Sequence, residues 1–199
     1  MDIEPASVSG SIVFLLSPAH AGGKRARTLL DPASKSLLAA RLHAGETVPL
    51  GELFSFVSGL YFRGKLAYAS RFAAAPDDVL VITPHQGLLP AATPVSLDEF
   101  RAYSQVDIDA ADAAYRRPLE IDLAALALRR EAGKIVLLGS LATGKYVDVL
   151  RGPLRGRLFF PPAFVGRGDM SRGALLLRAA RAGAELEYTP IEDLPRSPR

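Results

Sequence analysis

The sequence predicts a single α/β domain with a mostly parallel sheet and helices on both faces. Three short apolar segments, at residues 11–16, 79–83 and 134–140, have the length and composition of buried strands. Helical patterns separate these segments, and the first and third are apolar at almost every position, which is typical of strands covered on both faces. A chain of 199 residues with short linkers has room for one such domain.

The domain is predicted to cover residues 11–189. Residues 1–10 are expected to be a disordered lead, and residues 190–199 a flexible tail. The first strand is expected to end at Pro18, because proline cannot donate a hydrogen bond to a strand ladder. Residues 19–27 are then predicted to form a loop.

The next part of the chain is predicted to be mainly helical. Residues 33–43 have a helical pattern that ends before Gly45, a residue typical of helix C-termini. Residues 51–73 carry apolar side chains at spacings of three and four, which predicts one helix, or two helices interrupted near Gly59. A loop is expected over 85–94, after the second strand.

The second half alternates helices and strands again. Residues 97–103 are predicted to form a helical turn, and 110–131 to be largely helical with a kink or a break at Pro118. After the third strand, the pattern predicts further elements in the order helix, strand, helix and strand. They cover residues 143–151, 157–162, 170–182 and 185–188.

Composition narrows the function classes. The chain has no cysteine, which excludes disulfides and cysteine-ligated zinc. Its apolar run SIVFLLS is too short to cross a bilayer and has no basic segment before it, so the sequence predicts a cytoplasmic protein with no membrane partner. The sequence contains no HExxH motif and no dense cluster of acidic residues and histidines, and we predict no metal and no cofactor. The oligomeric state is left open.

Charge is concentrated in the C-terminal third. The net charge is only +3, but the segment from Arg151 to Arg181 contains seven arginines and a single acidic residue, Asp169. A basic region of this kind is suited to binding an anion. The alternative is a general preference for arginine over lysine that has no functional meaning.

Ligands of parallel α/β sheets bind beyond the carboxyl ends of the strands, so the residues that follow each strand are candidates. The first loop, 17–27, contains two glycines and several basic residues, and within it Ser17 and Lys24 are candidate ligand-binding residues. It lacks the spacing of a P-loop, and a plain surface loop is the alternative. His20 in this loop and His85 after the second strand are candidate general acids or bases, with a hydrogen-bonding surface histidine as the alternative.

Two further segments add candidates. Thr143, Lys145 and Tyr146 follow the third strand, and a lysine in the first turn of a helix opposes the helix dipole, which hints at a catalytic role for Lys145. Thr143 can cap that helix, whereas Tyr146, like Tyr61 earlier in the chain, is expected to stack on or hydrogen-bond a ligand.

The last helix is preceded by glycines and arginines. Arg167 and Arg172 lie beside the free N–H groups of its first turn, and Ser171 or Asp169 can cap it. This combination predicts a clamp for a carboxylate or a phosphate.

Three of these segments, in this order, resemble signature segments of the YaaA family of peroxide-stress proteins. IVFLLSPA (12–19) is similar to the family's first strand followed by Ser-Pro-Ala-Lys. SLATGKY (140–146) is similar to its Asn-Leu-Ala-Ser-x-Glu-Tyr, and GRGDMSR (166–172) to its Ala-Arg-Gly-x-Met-x-Arg. FVSGLYFRG (56–64) and QGLLPAATP (86–94) resemble two further family segments.

The resemblance implies a shortened, divergent YaaA-like protein: an intracellular α/β protein with a basic cleft, linked to protection from oxidative DNA damage. Family members bind DNA through a helix-hairpin-helix insert, and residues 28–50 show no hairpin of that kind. The family's lysine and glutamate in the first and third-strand motifs are replaced here by His20 and Lys145. The resemblance therefore implies a shared scaffold more directly than a shared DNA-binding element.

Two functions follow as hypotheses. The first is a DNA-binding, stress-linked protein, with a basic groove supplied by arginines and two phenylalanines of the C-terminal third. These residues are Arg151, Arg155, Arg157, Phe159, Phe160, Arg167 and Arg172. The second is a small-molecule enzyme acting on an anionic or nucleobase-like (or nucleotide-like) ligand, in a pocket formed by loops 17–27, 84–90, 140–146 and 166–172. In that case Lys24 and Arg172 hold the anion, and His20 or His85 moves a proton.

Overall fold

A six-stranded sheet lies at the centre of the fold. The structure is a computed structural model that describes residues 11–129, 132–141 and 144–194. Its strands are β1 (Ser11–Leu16), β2 (Val48–Pro49), β3 (Val79–Ile82), β4 (Leu88–Pro90), β5 (Pro94–Val95), β6 (Ala132–Leu138), β7 (Leu158–Phe160) and β8 (Thr189–Pro190). The central sheet has the order β4-β3-β1-β6-β7-β8, and β2 pairs with β5 in a separate ribbon. The four inner strands run parallel and the two edge strands antiparallel.

Helices cover both faces of this sheet, as the sequence predicts. They are α1 (Lys24–Leu30), α2 (Leu37–His43), α3 (Leu50–Ser58), α4 (Leu60–Phe72), α5 (Leu97–Tyr103), α6 (Ala113–Leu128), α7 (Gly144–Leu150) and α8 (Asp169–Ala182). Strand β1 divides its side chains between two cores: Phe14 and Leu16 pack with α1 to α5 and α8, whereas Val13 and Leu15 pack with α6 and α7. Among the residues that the structure describes, every helix is too short or too polar to span a membrane.

Helices α4 and α8 are packed unusually closely. A Cβ atom at Gly64 would lie 2.6 Å from the carbonyl oxygen of Gly173, and a Cβ atom at Gly173 would lie 2.8 Å from the carbonyl oxygen of Leu60. Only glycine fits at both positions, because the obstructing atoms belong to the backbone. This contact brings the N-terminal turn of α8 against the first half of α4.

Several local predictions need correction. The predicted loop 19–27 contains the start of α1, which folds because Ala26 and Leu29 are buried against the core. The predicted loop 85–94 contains β4 and the start of β5, short strands that depend on pairing with β3 and β2 rather than on their own sequence. Both segments have weak local signals, and tertiary contacts decide their structure.

The C-terminal half also differs from the prediction. Pro118 lies within the unbroken helix α6, where buried leucines on one face hold the helix together. The predicted strand at 185–188 does not form, and the chain pairs with β7 at Thr189–Pro190 instead. Within the segment predicted as a tail, Pro190 belongs to β8 and Ile191 is fully buried. The predicted lead at 1–10 and residues 195–199 lie outside the described residues. The break predicted near Gly59 is confirmed, since α3 ends at Ser58 and α4 begins at Leu60.

Candidate functional site

A buried lysine lies at the carboxyl end of the central strand. Lys65 belongs to α4, and the helical period places it on the same buried face as Tyr61 and Tyr68. Its ammonium group donates hydrogen bonds to the carbonyl oxygen of Ser17 and, at 2.9 Å, to the Ser17 Oγ. Ser17 follows the last residue of β1, so the pair occupies the sheet edge where ligands bind in parallel α/β folds.

The surroundings of Lys65 are apolar. The residue is only 1% exposed, and its Nζ lies 4.6 Å from the centre of the Tyr61 ring and 4.8 Å from that of Phe62. Among the described residues, no carboxylate lies within 4.0 Å of this nitrogen. Burial lowers the pKa of Lys65 to about 7, and the more distant charge of Asp169 opposes that shift only in part.

A second buried cation comes from the start of α8. Arg172 is 7% exposed, and its Nε donates to the carbonyl oxygen of Phe164 at 3.1 Å. Its Nη1 lies 3.5 Å from the Asp169 carboxylate, whose side chain is 68% exposed. The close contact of α4 with α8 therefore sets Arg172 beside the Lys65 region, with a single solvated carboxylate as its ion partner among the described residues.

Two tyrosines complete this cluster. The Tyr61 hydroxyl is buried and makes no hydrogen bond of normal geometry to a described residue. Burial raises the pKa of Tyr61, while the nearby Arg172 guanidinium acts in the opposite direction. Burial also raises the pKa of Tyr146 on α7 to about 12, with a further contribution from Asp169. Both phenols stay protonated at neutral pH and are available as hydrogen-bond donors.

A cavity of about 600 Å³ lies beside the cluster. Its walls come from the loop after β1, the residue that follows Thr83, the end of α5 with the segment after it, and the start of α7. The lining residues are Pro18–Gly22, Pro84, Tyr103, Ser104, Val106–Asp109, Lys145 and Tyr146. Three of the four loops that the sequence analysis singles out thus meet at one opening, and Tyr146 belongs to both the cavity and the cluster.

The structure brings some of the predicted site residues together and separates others. Ser17, Tyr61 and Arg172 belong to the buried cluster, and His20 and Lys145 line the cavity. His85 does not line the cavity but packs against Tyr103, which does, with 5.3 Å between the two rings. Its Nδ1 is buried and has no hydrogen-bond partner in the described part of the chain.

The remaining candidates are less central. Lys24 is exposed on α1 and lines neither the cluster nor the cavity. Arg167 and Ser171 are exposed as well, and bond to each other at 3.2 Å from Nη1 to Oγ. The predicted clamp for a carboxylate or a phosphate stays a prediction. Thr143 lies outside the described residues.

Lys65 is the residue that the sequence analysis missed. It stands in the run YFRGKLAYASRF, where a lysine is easily taken for a solvent-facing residue. The available signal was its position, four residues after Tyr61 and three before Tyr68, on the apolar face of the predicted helix. A charged residue on a face that must be buried is a candidate for function.

A larger groove of about 830 Å³ lies at the other end of β3. Its walls come from α3, α4 and residues 73–76, and Val79 at the start of β3 is part of its lining. It contains none of the predicted site residues. The predicted site residues His20, Lys145 and Tyr146 therefore distinguish the smaller cavity, whereas volume does not.

Comparisons with protein family models, with curated proteins and with solved structures find no match for this chain. The resemblance to the YaaA family accordingly stays a prediction from the three short motifs. The α/β architecture and the geometry of the cluster are the observations from which a function is argued.

Proposed function

We propose that this protein is an enzyme that binds a small anionic ligand at the carboxyl end of β1. The observation that carries the proposal is the buried, charged Arg172 next to Lys65, an amine that becomes a cation below pH about 7, with only the exposed Asp169 as a counter-charge among the described residues. Burying a cation without a counter-charge costs free energy, and a bound carboxylate or phosphate would offset that cost.

The neighbouring groups support a ligand with a planar part. The cavity volume is in the range of small-molecule sites. Tyr146 lines it and is half-buried, so its ring offers a stacking surface for a nucleobase-like group. Tyr61 supplies a hydroxyl donor that has no partner among the described residues, and His20 supplies a group for proton transfer.

DNA binding and a role in peroxide stress, which the YaaA resemblance implies, stay a second and separate hypothesis. The arginines proposed for a basic groove are largely occupied by carbonyl groups of the domain itself. Arg151 donates to Ile191, Arg157 to Ala127 and Arg129, and Arg172 to Phe164. Phe160 is buried and unavailable for stacking. Arg155 and Arg167 are left exposed, so the geometry favours the small ligand.

Thermal unfolding in the presence of small anions tests the proposal. The probes are orthophosphate, acetate and adenosine monophosphate, with adenine as the uncharged comparison. We expect at least one anion to raise the Tm of the wild type in a concentration-dependent way. Arg172→Gln should weaken that anion by about ten- to a hundredfold, since a charge-assisted hydrogen bond contributes about 1.5–3 kcal/mol.

Two controls make the result specific. Arg178→Gln removes an exposed arginine of the same helix and should leave the affinity unchanged. Arg172→Lys retains the charge and replaces Arg172→Gln if that variant does not fold; it should bind the anion more weakly than the wild type, because it loses the guanidinium geometry. Absence of any anion effect, or an equal loss in Arg178→Gln, would contradict the proposal. Labelled DNA tested at low and moderate salt provides the other arm: tight binding that falls steeply with salt would favour the nucleic-acid hypothesis.

A further inference from the structure

We propose that Ser17 is a nucleophile activated by Lys65, and that the protein transfers acyl groups from small esters to water through an acyl-Ser17 intermediate. The inference rests on the proposed function, because it takes the ligand site at the carboxyl end of β1 as the place where the ester binds. It adds the reaction class and the two residues that perform it.

The geometry of the pair suits this role. The Ser17 Oγ and the Lys65 Nζ are 2.9 Å apart, within the distance at which a base removes a proton. The Ser17 carbonyl oxygen accepts a second bond from the same nitrogen. A neutral amine has two N–H groups and one lone pair; when one N–H is held by the carbonyl, the lone pair can accept the Oγ–H proton. Serine nucleophiles depend on an adjacent base of this kind.

The serine is also rigidly placed. Its backbone N–H donates to the carbonyl oxygen of Leu138 at 3.1 Å, which continues the pairing of β1 with β6 by one residue. Gly139 leaves space beside the hydroxyl, since a Cβ atom there would come within 3.2 Å of the Ser17 Oγ. Pro18 to Gly22, the residues that follow, form one wall of the cavity.

The charges around Lys65 favour a base over a permanent cation. Burial lowers its pKa to about 7, so a large fraction of the amine is neutral at physiological pH. The titratable groups that face this region are Tyr61 from α4, Tyr146 from α7, and Asp169 and Arg172 from α8. Asp169 is the only anion of this group, and it is exposed. The protonated tyrosines and Arg172 can hold an anionic part of the ester.

The reaction is balanced by water alone. As the Ser17 Oγ bonds to the carbonyl carbon of the ester, its proton moves to the Lys65 Nζ and the carbonyl π electrons move to oxygen. Collapse of this intermediate breaks the bond to the alcohol, which leaves with the proton from Lys65. Water then attacks acyl-Ser17 with Lys65 as the base again, releasing the carboxylic acid and restoring both side chains.

The test is acylation by p-nitrophenyl acetate, followed by p-nitrophenolate release and by mass mapping of the acetyl group. This ester is small enough for a serine that is only 4% exposed. We expect acetylation of Ser17 in the wild type and none in Ser17→Ala. Lys65→Met should slow it about a hundredfold or more, the usual effect of losing a general base. Ser171→Ala, an exposed serine of α8, is the matched control.

The pH dependence of Ser17 labelling in the wild type tests the role of Lys65 without a variant. It keeps the proposal testable if Lys65→Met does not fold. Labelling of Ser17 should rise through pH about 7 as Lys65 loses its proton. An acetyl group found on Lys65 or only on surface residues, or equal labelling rates in the wild type and a folded Lys65→Met, would overturn the proposal. So would a flat pH profile.

Anion binding separates this inference from the proposed function. Ser17→Ala should keep the Tm increase with anions while it loses labelling. If anions bind and Ser17 stays unlabelled, the nucleophile is wrong and the binding site stands. If Ser17 is labelled and no anion binds, the anionic ligand is wrong and the serine–lysine pair stands.

Discussion

The two faces of the sheet differ in how their buried polar groups are paired. On the face covered by α6 and α7, the core consists of leucine, valine, isoleucine and aromatic side chains, and the Tyr115 hydroxyl donates to the carbonyl oxygen of Lys145 at 3.2 Å. On the face covered by α4 and α8, Lys65 is buried without a carboxylate partner among the described residues. The Tyr61 hydroxyl on that face is buried without a hydrogen bond to them.

This difference indicates what the fold requires and what it does not. On the α6–α7 face the buried Tyr115 hydroxyl has a partner, and the Arg151 Nε at the end of α7 is the buried polar atom there that lacks one among the described residues. A buried hydroxyl without a hydrogen bond and a buried ammonium without a counter-charge each cost free energy. Because the other face accepts that cost at the sheet edge where ligands bind, we infer that its polar groups are there for binding or catalysis.

The largest effect on stability is expected from a substitution at the close contact between α4 and α8. Gly173→Ala places a Cβ atom 2.8 Å from the Leu60 carbonyl oxygen and 2.9 Å from the Tyr61 Cα. Helix α8 must move away from α4, which should lower the free energy of unfolding by about 1–3 kcal/mol and weaken anion binding. Urea unfolding and the thermal assay measure the two effects.

Gly152→Ala is the control for that substitution. A Cβ atom at Gly152 meets nothing within 4 Å, so stability should change by no more than about 0.5 kcal/mol. If the two variants are equally stable, the close contact of α4 and α8 is not what holds the site, and the contrast between the faces loses its structural basis.

The sequence predicts the inner strands of the sheet and fails to predict its two edge strands. Strand β1 and the IVLL segment of β6 are apolar runs typical of a strand covered on both faces, and both strands overlap the predicted segments, with β6 beginning two residues earlier than predicted. Strand β8 has only two residues, and one of them is a proline. It forms because β7 offers an unpaired edge. A strand whose stability comes from its partner leaves little trace in its own residues.

The residues of the candidate site also fall into those that the sequence identifies and those that it does not. Ser17, Tyr146 and Arg172 could be singled out because each stands directly after a strand or at the start of a helix, positions that the topology rule identifies. Lys65 could not be found by that rule, since it lies in the middle of α4 and reaches the edge across the core. Only the pairing of helical faces, which is a tertiary property, places it beside Ser17.

A smaller and pH-dependent effect is expected from Lys65→Met. In the folded protein Lys65 loses its proton near pH 7, whereas the unfolded chain keeps it up to the ordinary value of 10.5. Between these values the unfolded state binds more protons, so the free energy of unfolding of the wild type should rise with pH. The cost of burying the charge is complete below pH 7 and is lost above 10.5.

The variant lacks this group, and its stability should not show that rise. At pH about 6 we expect Lys65→Met to be more stable than the wild type by about 1–2 kcal/mol, as when buried charges are replaced by apolar residues. The advantage should shrink as the pH rises. Urea unfolding of both proteins across this range gives the difference, and parallel pH profiles would show that Lys65 is not a buried cation.

The smallest effect gives the most direct comparison of the two faces, because one hydroxyl is removed from each. Tyr115→Phe loses the bond to the Lys145 carbonyl and should cost about 1 kcal/mol. Tyr61→Phe removes a hydroxyl that has no partner among the described residues, and should leave stability unchanged or raise it by up to about 1 kcal/mol while weakening anion binding. Equal losses of stability from the two substitutions would mean that the Tyr61 hydroxyl is satisfied within the fold. In that case only Lys65 and Arg172 would distinguish this face. A stable Tyr61→Phe with impaired anion binding would support a contact of this hydroxyl with the ligand, either directly or through the neighbouring Arg172.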